Sequence, residues 1–178
     1  VQLNSKKDLL IYSYRVAGTV GLLMAKILNV QNNVALKSAI DLGIAMQLTN
    51  ISRDVVEDSR NNRSYISHNF KSIKETLKIA DLFYESSFFS IKEIPFRFRF
   101  SILVARRVYR KIGLNILKKK NIENYNNSGK IYVNNISKII QTILSIYDLI
   151  RLSLIKNKDH LRKQEHQIIN EEINLNER

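Results

Sequence analysis

Three oxygen-bearing side chains recur at four-residue intervals near the middle of the chain, at Asn50, Asp54 and Asp58. On a helix, each step of four residues turns the side chain by only about 40°, so the three would line one edge. Amide and carboxylate oxygens, without histidine or cysteine, suit Mg²⁺, which also takes water and substrate phosphate as ligands. This row therefore predicts a Mg²⁺ site that receives a phosphorylated ligand. The alternative is a solvated helix end with no ligand.

Two further side chains extend the row. Gln47 falls on the same edge, three residues before Asn50, and Arg53 lies beside it. A guanidinium group can pair with phosphate through two parallel hydrogen bonds, so Arg53 and Arg60 are candidate phosphate ligands. The apolar stretch 40–48 precedes the acids, and a buried helix that ends in carboxylates usually needs a cation.

The periodicity of the chain predicts the elements that position this row. Apolar residues recur three and four apart almost throughout, with one proline and five glycines, which is typical of an all-α protein. A capping box of Ser72 and Glu75 and the helix-starting Pro95 mark two helix starts. The predicted helices span 6–28, 34–58, 72–89, 95–120 and 134–156, with loops at 58–69 and 121–129 and a frayed or flexible polar tail at 157–178.

Two glycines, Gly18 and Gly21, lie inside the first predicted helix, where each costs about 1 kcal/mol relative to alanine. Something should compensate for this cost. Close packing of a second helix would do so, and so would room for a flat or chain-like apolar ligand.

Composition narrows the classes of function. The chain has 178 residues, enough for one domain, and no cysteine, which excludes disulfides, thiolate zinc sites and a cysteine nucleophile. An intracellular setting fits best. The net charge is +13, and residues 91–150 carry 12 basic and 3 acidic side chains. Such an excess is typical of binding to nucleic acid, an anionic membrane or a phosphorylated ligand.

Two sequence runs resemble the squalene/phytoene synthase family. They are Tyr14-Arg-Val-Ala-Gly-Thr-Val-Gly21 and the ungapped stretch from Asp41 to Asp58, followed by Arg63-Ser-Tyr65. A weaker resemblance runs through Ala105-Arg-Arg-Val-Tyr-Arg110 and Lys130-Ile-Tyr-Val133 to about residue 150. The resemblance implies an isoprenoid-synthase-type helical bundle, in which two aspartate-rich helices hold Mg²⁺ and a diphosphate.

Only the second aspartate-rich motif has a counterpart here. We therefore expect residues 1–156 to be the C-terminal part of a prenyl synthase helical domain, inactive without the missing motif. Neither an initiator methionine nor a signal peptide opens the chain, which agrees with a piece of a longer protein.

The resemblance also implies roles for individual residues. Asn50, Asp54 and Asp58 would bind Mg²⁺, and Asp54, Asp58 and Arg53 would be catalytic. Diphosphate would contact Arg53, Tyr109, Lys130 and Gln47, although Lys130 replaces a usual arginine and cannot form the two-pronged contact. The apolar lining for the prenyl chains would comprise Tyr12, Ala17, Gly18, Val20, Gly21, Ala39, Leu42 and Gly43.

The implied activity is the head-to-head condensation of two prenyl diphosphates. The stretch 41–50 is most similar to the bacterial phytoene synthase branch, which joins two geranylgeranyl diphosphates through a cyclopropyl diphosphate in carotenoid biosynthesis. Mg²⁺ would be the cofactor, with Mn²⁺ as a substitute. An alternative is squalene formation from farnesyl diphosphate, which alone would need NADPH.

Two other classes of function remain as alternatives. One is a non-catalytic relative that acts as a scaffold. The other is a basic helical nucleic-acid binder, which the absence of a helix-turn-helix signature or zinc spacing disfavours. We expect no nucleic acid among the partners. We expect a cytoplasmic protein in peripheral contact with anionic membrane, of undetermined oligomeric state.

The carboxylate row generates a first prediction. In the complete protein, Asp54→Ala or Asp58→Ala should abolish turnover, because each removes an oxygen ligand of Mg²⁺, while helix content stays nearly intact. Product formation and circular dichroism measure the two effects. Normal product formation by either variant would contradict the metal assignment.

Overall fold

The computed structural model describes residues 1–155, 163–173 and 175, and this part of the chain is helical. The all-α prediction is confirmed: the described residues contain no β-strand, only an isolated bridge between Gln2 and Ser64. The helices are α1 (Lys6–Ser13), α2 (Thr19–Ile27), α3 (Asn33–Arg53), α4 (Val55–Arg60), α5 (Phe70–Phe88), α6 (Phe96–Leu117), α7 (Ile122–Asn127), α8 (Asn135–Leu154) and α9 (Gln164–Asn170).

The first predicted helix comprises α1, a π-helical turn (Tyr14–Gly18) and α2 in continuous succession. The side chain of Ser5 caps α1 by accepting a hydrogen bond from the backbone N–H of Asp8. After α2, Asn29 adopts a φ of 60°, a left-handed conformation that asparagine tolerates and that ends the helix. The predicted bounds of this helix are therefore close, but the π turn was not predicted.

The second predicted helix, 34–58, is interrupted. Helix α3 ends at Arg53, and Asp54 leaves helical geometry with φ −103° and ψ 13° before α4 begins at Val55. Asn50, Asp54 and Asp58 are therefore not on one continuous helix. The prediction of an unbroken row is wrong, because contacts made by the end of α3, described below, outweigh its helical propensity.

Two further predictions of local structure are corrected. Helix α5 begins at Phe70, two residues before the predicted capping box, and Asn69 caps it by accepting from the N–H of Ser72. The predicted loop 121–129 contains the short helix α7, which Asn121 caps in the same way. Asparagine is as good an N-cap as serine, so Asn69 caps α5 ahead of Ser72 and Asn121 can start a helix within the predicted loop.

Part of the expected polar tail is also folded. Helix α9 packs against α1, and its His166 and Ile169 are buried at 1% exposure each. Residues 156–162, 174 and 176–178, which include the end of the fifth predicted helix and much of that tail, lie outside the described residues.

A buried polar cluster attaches α9 to the rest of the bundle. The hydroxyl of Ser86 on α5 donates to Asp41 Oδ2 on α3 at 2.6 Å, and His166 Nε2 lies 3.1 Å from Ser86 Oγ and 3.2 Å from Asp41 Oδ2. All three side chains are buried, and His166 Nδ1 also accepts a hydrogen bond from the backbone N–H of Lys163 at 3.1 Å. These hydrogen bonds allow three polar residues to be buried, although hydropathy alone would place them at the surface.

Helix α3 is the central element of the bundle, and it packs against α2, α5 and α6. Its contact with α2 and with the π turn before α2 is a contact between backbones. A Cβ atom on Gly21 would lie 2.2 Å from the carbonyl oxygen of Ala39, and one on Gly43 would lie 2.2 Å from that of Ala17. Gly18 is similarly covered, by Tyr14 and Ile40. Close helix packing therefore compensates for these glycines.

None of the described helices is both long enough and apolar enough to cross a lipid bilayer.

The glycine contact generates a second prediction. Gly43→Ala should lower the free energy of unfolding by about 2 kcal/mol or more, because its Cβ would push two helix backbones apart. Urea unfolding measures the effect. Gly113→Ala in α6 is the control, since its Cβ meets only the flexible end of Leu77 at 3.1 Å. Equal stability of the two variants would contradict the backbone contact.

Candidate functional site

The end of α3 carries a tight ion pair between neighbouring residues. Arg53 donates from Nε to Asp54 Oδ1 at 2.8 Å and from Nη2 to Oδ2 at 2.6 Å, so both carboxylate oxygens are engaged. The hydrogen bond that Arg53 donates to Asp54 raises the pKa of Arg53 against the opposing effect of burial. Asp54 leaves helical geometry at the position where it makes this two-pronged contact.

Lys130 supplies a second cation from the segment between α7 and α8. Its Nζ lies 2.7 Å from Glu57 Oε2 and 3.5 Å from Asp54 Oδ1. The bond to Glu57 raises the pKa of Lys130. Lys130 and Arg53 therefore flank the same carboxylate, and they share with Arg60 the lining of a cavity of about 220 Å³.

Tyr125 on α7 fixes the position of this helix end. Its hydroxyl donates to the backbone carbonyls of Ser52 at 3.0 Å and Arg53 at 2.8 Å. These are carbonyls at the C-terminal end of α3, where intrahelical partners run out. Burial raises the pKa of Tyr125 to about 12. Sequence reasoning missed this residue because it lies in a segment predicted to be a loop.

Asp58 experiences a different environment. Burial, and then the charge of Asp54, raise the pKa of Asp58, while Arg63 and Lys130 oppose the shift. Asp58 lines a small pocket with Arg63 and Tyr65. Of the two carboxylates among the predicted metal ligands, Asp58 is thus the one whose negative charge is less compensated.

Tyr12 belongs to that neighbourhood, and it does not line the predicted prenyl cavity. Its ring stacks on Tyr65 with centroids 4.9 Å apart, and its hydroxyl donates to the Tyr65 hydroxyl at 3.1 Å. Burial, and then this hydrogen bond, raise the pKa of Tyr12 to about 12. The assignment of Tyr12 to the prenyl-chain lining is therefore wrong.

An apolar cavity with a volume of about 550 Å³ lies between α2, α3 and α6. Gly18, expected in its lining, is covered by packed side chains and lies outside it. Six of the residues proposed for a prenyl-chain lining do border this cavity: Ala17, Val20, Gly21, Ala39, Leu42 and Gly43.

One end of this cavity is polar, because Gln47, Asn50 and Tyr109 also border it. Asn50 Oδ1 is buried and has no hydrogen-bond partner; Ser52 Oγ is the other such side-chain atom in the described part of the chain. An unpartnered buried acceptor is costly, which favours a ligand at this position.

The predicted metal ligands are neighbours, but they do not border one common cavity. Asn50 borders the apolar cavity, Asp54 the cavity with Lys130, and Asp58 the pocket with Arg63. Across the described ranges, no three His, Cys, Asp or Glu side chains form a group that could hold a metal ion. The predicted set combines one amide with two carboxylates and so falls outside that description.

Comparison with known proteins decides the family. The family model described as squalene/phytoene synthase matches residues 1–70, which contain α1 to α4 and the acids. The chain is 39% identical over 129 residues to a 15-cis-phytoene synthase of a Paracoccus species and 36% identical over 132 residues to that of Enterobacter agglomerans. This chain belongs to the squalene/phytoene synthase family.

The sequence similarity extends to plant proteins. The chain is 31% identical over 162 residues to the chloroplastic phytoene synthase 1 of Arabidopsis thaliana, which covers 74% of this chain and 37% of that protein. The two bacterial matches each cover 62% of this chain, and 42% and 45% of the relatives. The chain thus spans less than half the length of these squalene/phytoene synthase family members.

The environment of Asp58 generates a third prediction. A carboxyl group whose pKa rises on folding binds its proton more tightly when folded, so its ionisation costs stability above that pKa. Asp58→Asn should therefore raise the free energy of unfolding at pH 7. The gain should shrink as the pH falls through the raised pKa and vanish below about pH 3.9, the ordinary aspartate value. Urea unfolding at several pH values measures it.

The control for this experiment is Glu75→Gln. Glu75 is an exposed carboxylate on α5 without an ion-pair partner among the described residues, so its removal should change stability little at any pH. A destabilised Asp58→Asn variant at pH 7 would contradict the electrostatic assignment.

Proposed function

We propose that this chain takes part in the head-to-head condensation of two prenyl diphosphates. The observation that carries the proposal is the apolar cavity of about 550 Å³ whose polar end holds Gln47, Asn50 and Tyr109. A prenyl diphosphate has the same division, an apolar chain joined to a charged group. The phytoene synthases to which the chain is similar support the same reaction class.

Asn50 at the polar end, together with Asp58 in the neighbouring pocket, fits a Mg²⁺ ion. Asn50 Oδ1 is a buried acceptor without a partner, and Asp58 carries a carboxylate whose charge is disfavoured by burial and by Asp54. A divalent cation would relieve both costs. Asp54 is available once Arg53 exchanges it for another anion, such as a diphosphate. Mn²⁺, with similar oxygen preference, could replace Mg²⁺.

When bound, Mg²⁺ would neutralise the departing diphosphate as a Lewis acid. The protein's own groups would orient and retain that anion. Arg53 has the two-pronged geometry that phosphate accepts, Lys130 adds a point charge, and Gln47 and Tyr109 offer polar contacts at the cavity end. We assign diphosphate binding to these four residues and catalysis to Asp54, Asp58 and Arg53.

The apolar walls would exclude water from the allylic cation that forms when diphosphate leaves. Water would otherwise capture the cation, so a dry lining is required for carbon–carbon bond formation. Ala17, Val20, Ala39 and Leu42 supply aliphatic surface, and Gly21 and Gly43 complete the wall where the helix backbones touch. A cyclopropyl diphosphate is the intermediate that we propose.

Geranylgeranyl diphosphate is the proposed substrate and phytoene the product, within carotenoid biosynthesis. The reaction ends in proton loss and needs no reductant, whereas squalene formation from farnesyl diphosphate would need NADPH. An assay of the complete protein with each diphosphate, with and without NADPH, distinguishes them. A non-catalytic scaffold would make neither product and would show no Mg²⁺-dependent diphosphate binding.

The membrane is the proposed partner beside the substrates. Long prenyl chains partition into lipid, so an enzyme that uses them gains from peripheral contact with an anionic bilayer on the cytoplasmic side. No nucleic-acid partner is proposed.

The unpartnered Asn50 oxygen generates a fourth prediction. Asn50→Leu keeps the shape of the side chain and removes the buried acceptor, so the free energy of unfolding should stay equal or rise. Affinity for a non-hydrolysable geranylgeranyl thiodiphosphate in the presence of Mg²⁺ should fall at least tenfold. Urea unfolding and isothermal titration calorimetry measure the two effects.

Ser52→Ala is the matched control for Asn50→Leu. It removes the other unpartnered buried oxygen, which does not border the apolar cavity, so it should leave ligand affinity unchanged. Unaltered Mg²⁺-dependent affinity in Asn50→Leu would refute the proposed site.

A further inference from the structure

Helix α8 shows its apolar side to solvent and its polar side to the protein. Ser145, Asp148 and Leu152 are buried against the bundle, whereas most of its other aliphatic and aromatic side chains point outward. Six of them, between 54% and 78% exposed, follow one another along a single helix face, which we call the α8 apolar face: Ile136, Ile139, Ile143, Tyr147, Ile150 and Leu154. A helix of this length extends about 30 Å, so the patch exceeds what isolated surface residues produce.

An ion pair fixes this orientation. Arg107 on α6 donates from Nη2 to Asp148 Oδ1 at 2.8 Å and also from Nε to Oδ2, and Asp148 is 3% exposed. Rolling α8 over to hide its apolar face would leave the buried carboxylate without its cation, at a large cost. The outward apolar face is therefore built into the fold.

A basic pocket of about 440 Å³ lies beside α8, between α5 and α6. Five cationic side chains and two carboxylates border it. Arg106 is only 5% exposed and donates to the carbonyl of Tyr84, but no carboxylate in the described residues lies within ion-pair distance of it. Lys111 and Arg151 likewise form no ion pair within the described part. Burying a guanidinium without a carboxylate is costly unless an anion can reach it.

The basic pocket and the α8 apolar face are continuous. Arg151 borders the pocket and follows Ile150 directly, and it lies one helical turn after Tyr147. Leu114 on α6, which is 49% exposed, adds apolar surface to the pocket's rim. An apolar face with cations along its edge is the pattern of helices that lie in the plane of a membrane.

We propose that the α8 apolar face and the basic pocket together form the docking surface for an anionic lipid bilayer. The isoleucines enter the acyl region, and a lipid phosphate enters the pocket beside Arg106, Lys111 and Arg151. The inference rests on the membrane contact proposed above and assigns it to a surface. It is independent of the prenyl cavity, which lies between α2, α3 and α6.

Charge complementarity favours a bilayer over a second copy of the chain. A two-fold dimer through the α8 apolar face would bring the edges of two basic pockets near each other, which like-charge repulsion opposes. Anionic lipid instead satisfies the apolar face and the cations at once.

The test is sedimentation of the chain with vesicles of phosphatidylcholine alone and of phosphatidylcholine with phosphatidylglycerol, with no prenyl diphosphate present. Ile143→Glu should reduce binding to anionic vesicles at least tenfold. Its control is Leu23→Glu on α2, where the exposure is 56% against 59% for Ile143, and binding should stay within twofold of wild type.

A second pair of variants tests the pocket. Lys111→Gln with Arg151→Gln should lower the partition onto anionic vesicles about fivefold for each charge removed. Lys71→Gln with Lys74→Gln, two exposed lysines on α5, is the control and should have a smaller effect.

Three results would overturn the docking surface. The first is no binding of wild type to anionic vesicles. The second is equal binding by each variant and its control. The third is weak vesicle binding together with a dimer in lipid-free solution that dissociates in the Ile143→Glu variant. That result would assign the α8 apolar face to a second copy of the chain. Because no substrate is present, each of these leaves the condensation proposal standing.

Discussion

The contact between the backbones of α2 and α3 is the constraint on which the remaining structure depends. Gly21 and Gly43 allow it, and both also border the apolar cavity, so the contact that joins the helices forms part of the cavity wall. Gly43, Gln47 and Asn50 then follow at helical spacing on one face of α3. That face passes from apolar to polar within two turns, and the orphan oxygen of Asn50 lies where the cavity meets the charged end of the helix.

Charge is compensated unevenly along the molecule, and this unevenness separates a region that favours a cation from a region that favours an anion. At the end of α3, carboxylates outnumber the cations that reach them closely, and Asp58 pays the electrostatic cost. Around α6 and α8 the balance reverses, because Asp148 and Asp81 neutralise Arg107 and Arg110 but leave Arg106 and its neighbours without carboxylates. A cation is expected at the first region and an anion at the second, so the overall net charge describes neither.

Local sequence predicted the helices well and their interruptions poorly. The period of apolar residues located α3 and α6, which bury an apolar face, and α8, whose apolar face is exposed. The break at Asp54 follows the end of α3 that Tyr125 holds by a hydrogen bond to the Arg53 carbonyl, 72 residues away in sequence. The period of apolar residues cannot predict such a long-range contact. Helix α9 has the same origin, since His166 is buried by partners on α3 and α5. The acids were identified because their four-residue spacing can be read from the local sequence. That they face different pockets depends on tertiary contacts, which the local sequence does not contain.

The π-helical turn at Tyr14–Gly18 joins α1 to α2 and determines how α1 is rotated about the common helix axis. Such a turn holds one residue more than an α-helical turn. Deleting that residue would restore the regular hydrogen-bond ladder and rotate all preceding side chains by about 100° relative to α2. Tyr12 would leave Tyr65, and Leu10 would leave the core, while the glycine contact stayed in place. The turn therefore sets the rotation of α1 relative to α2, and with it which residues of α1 face the core.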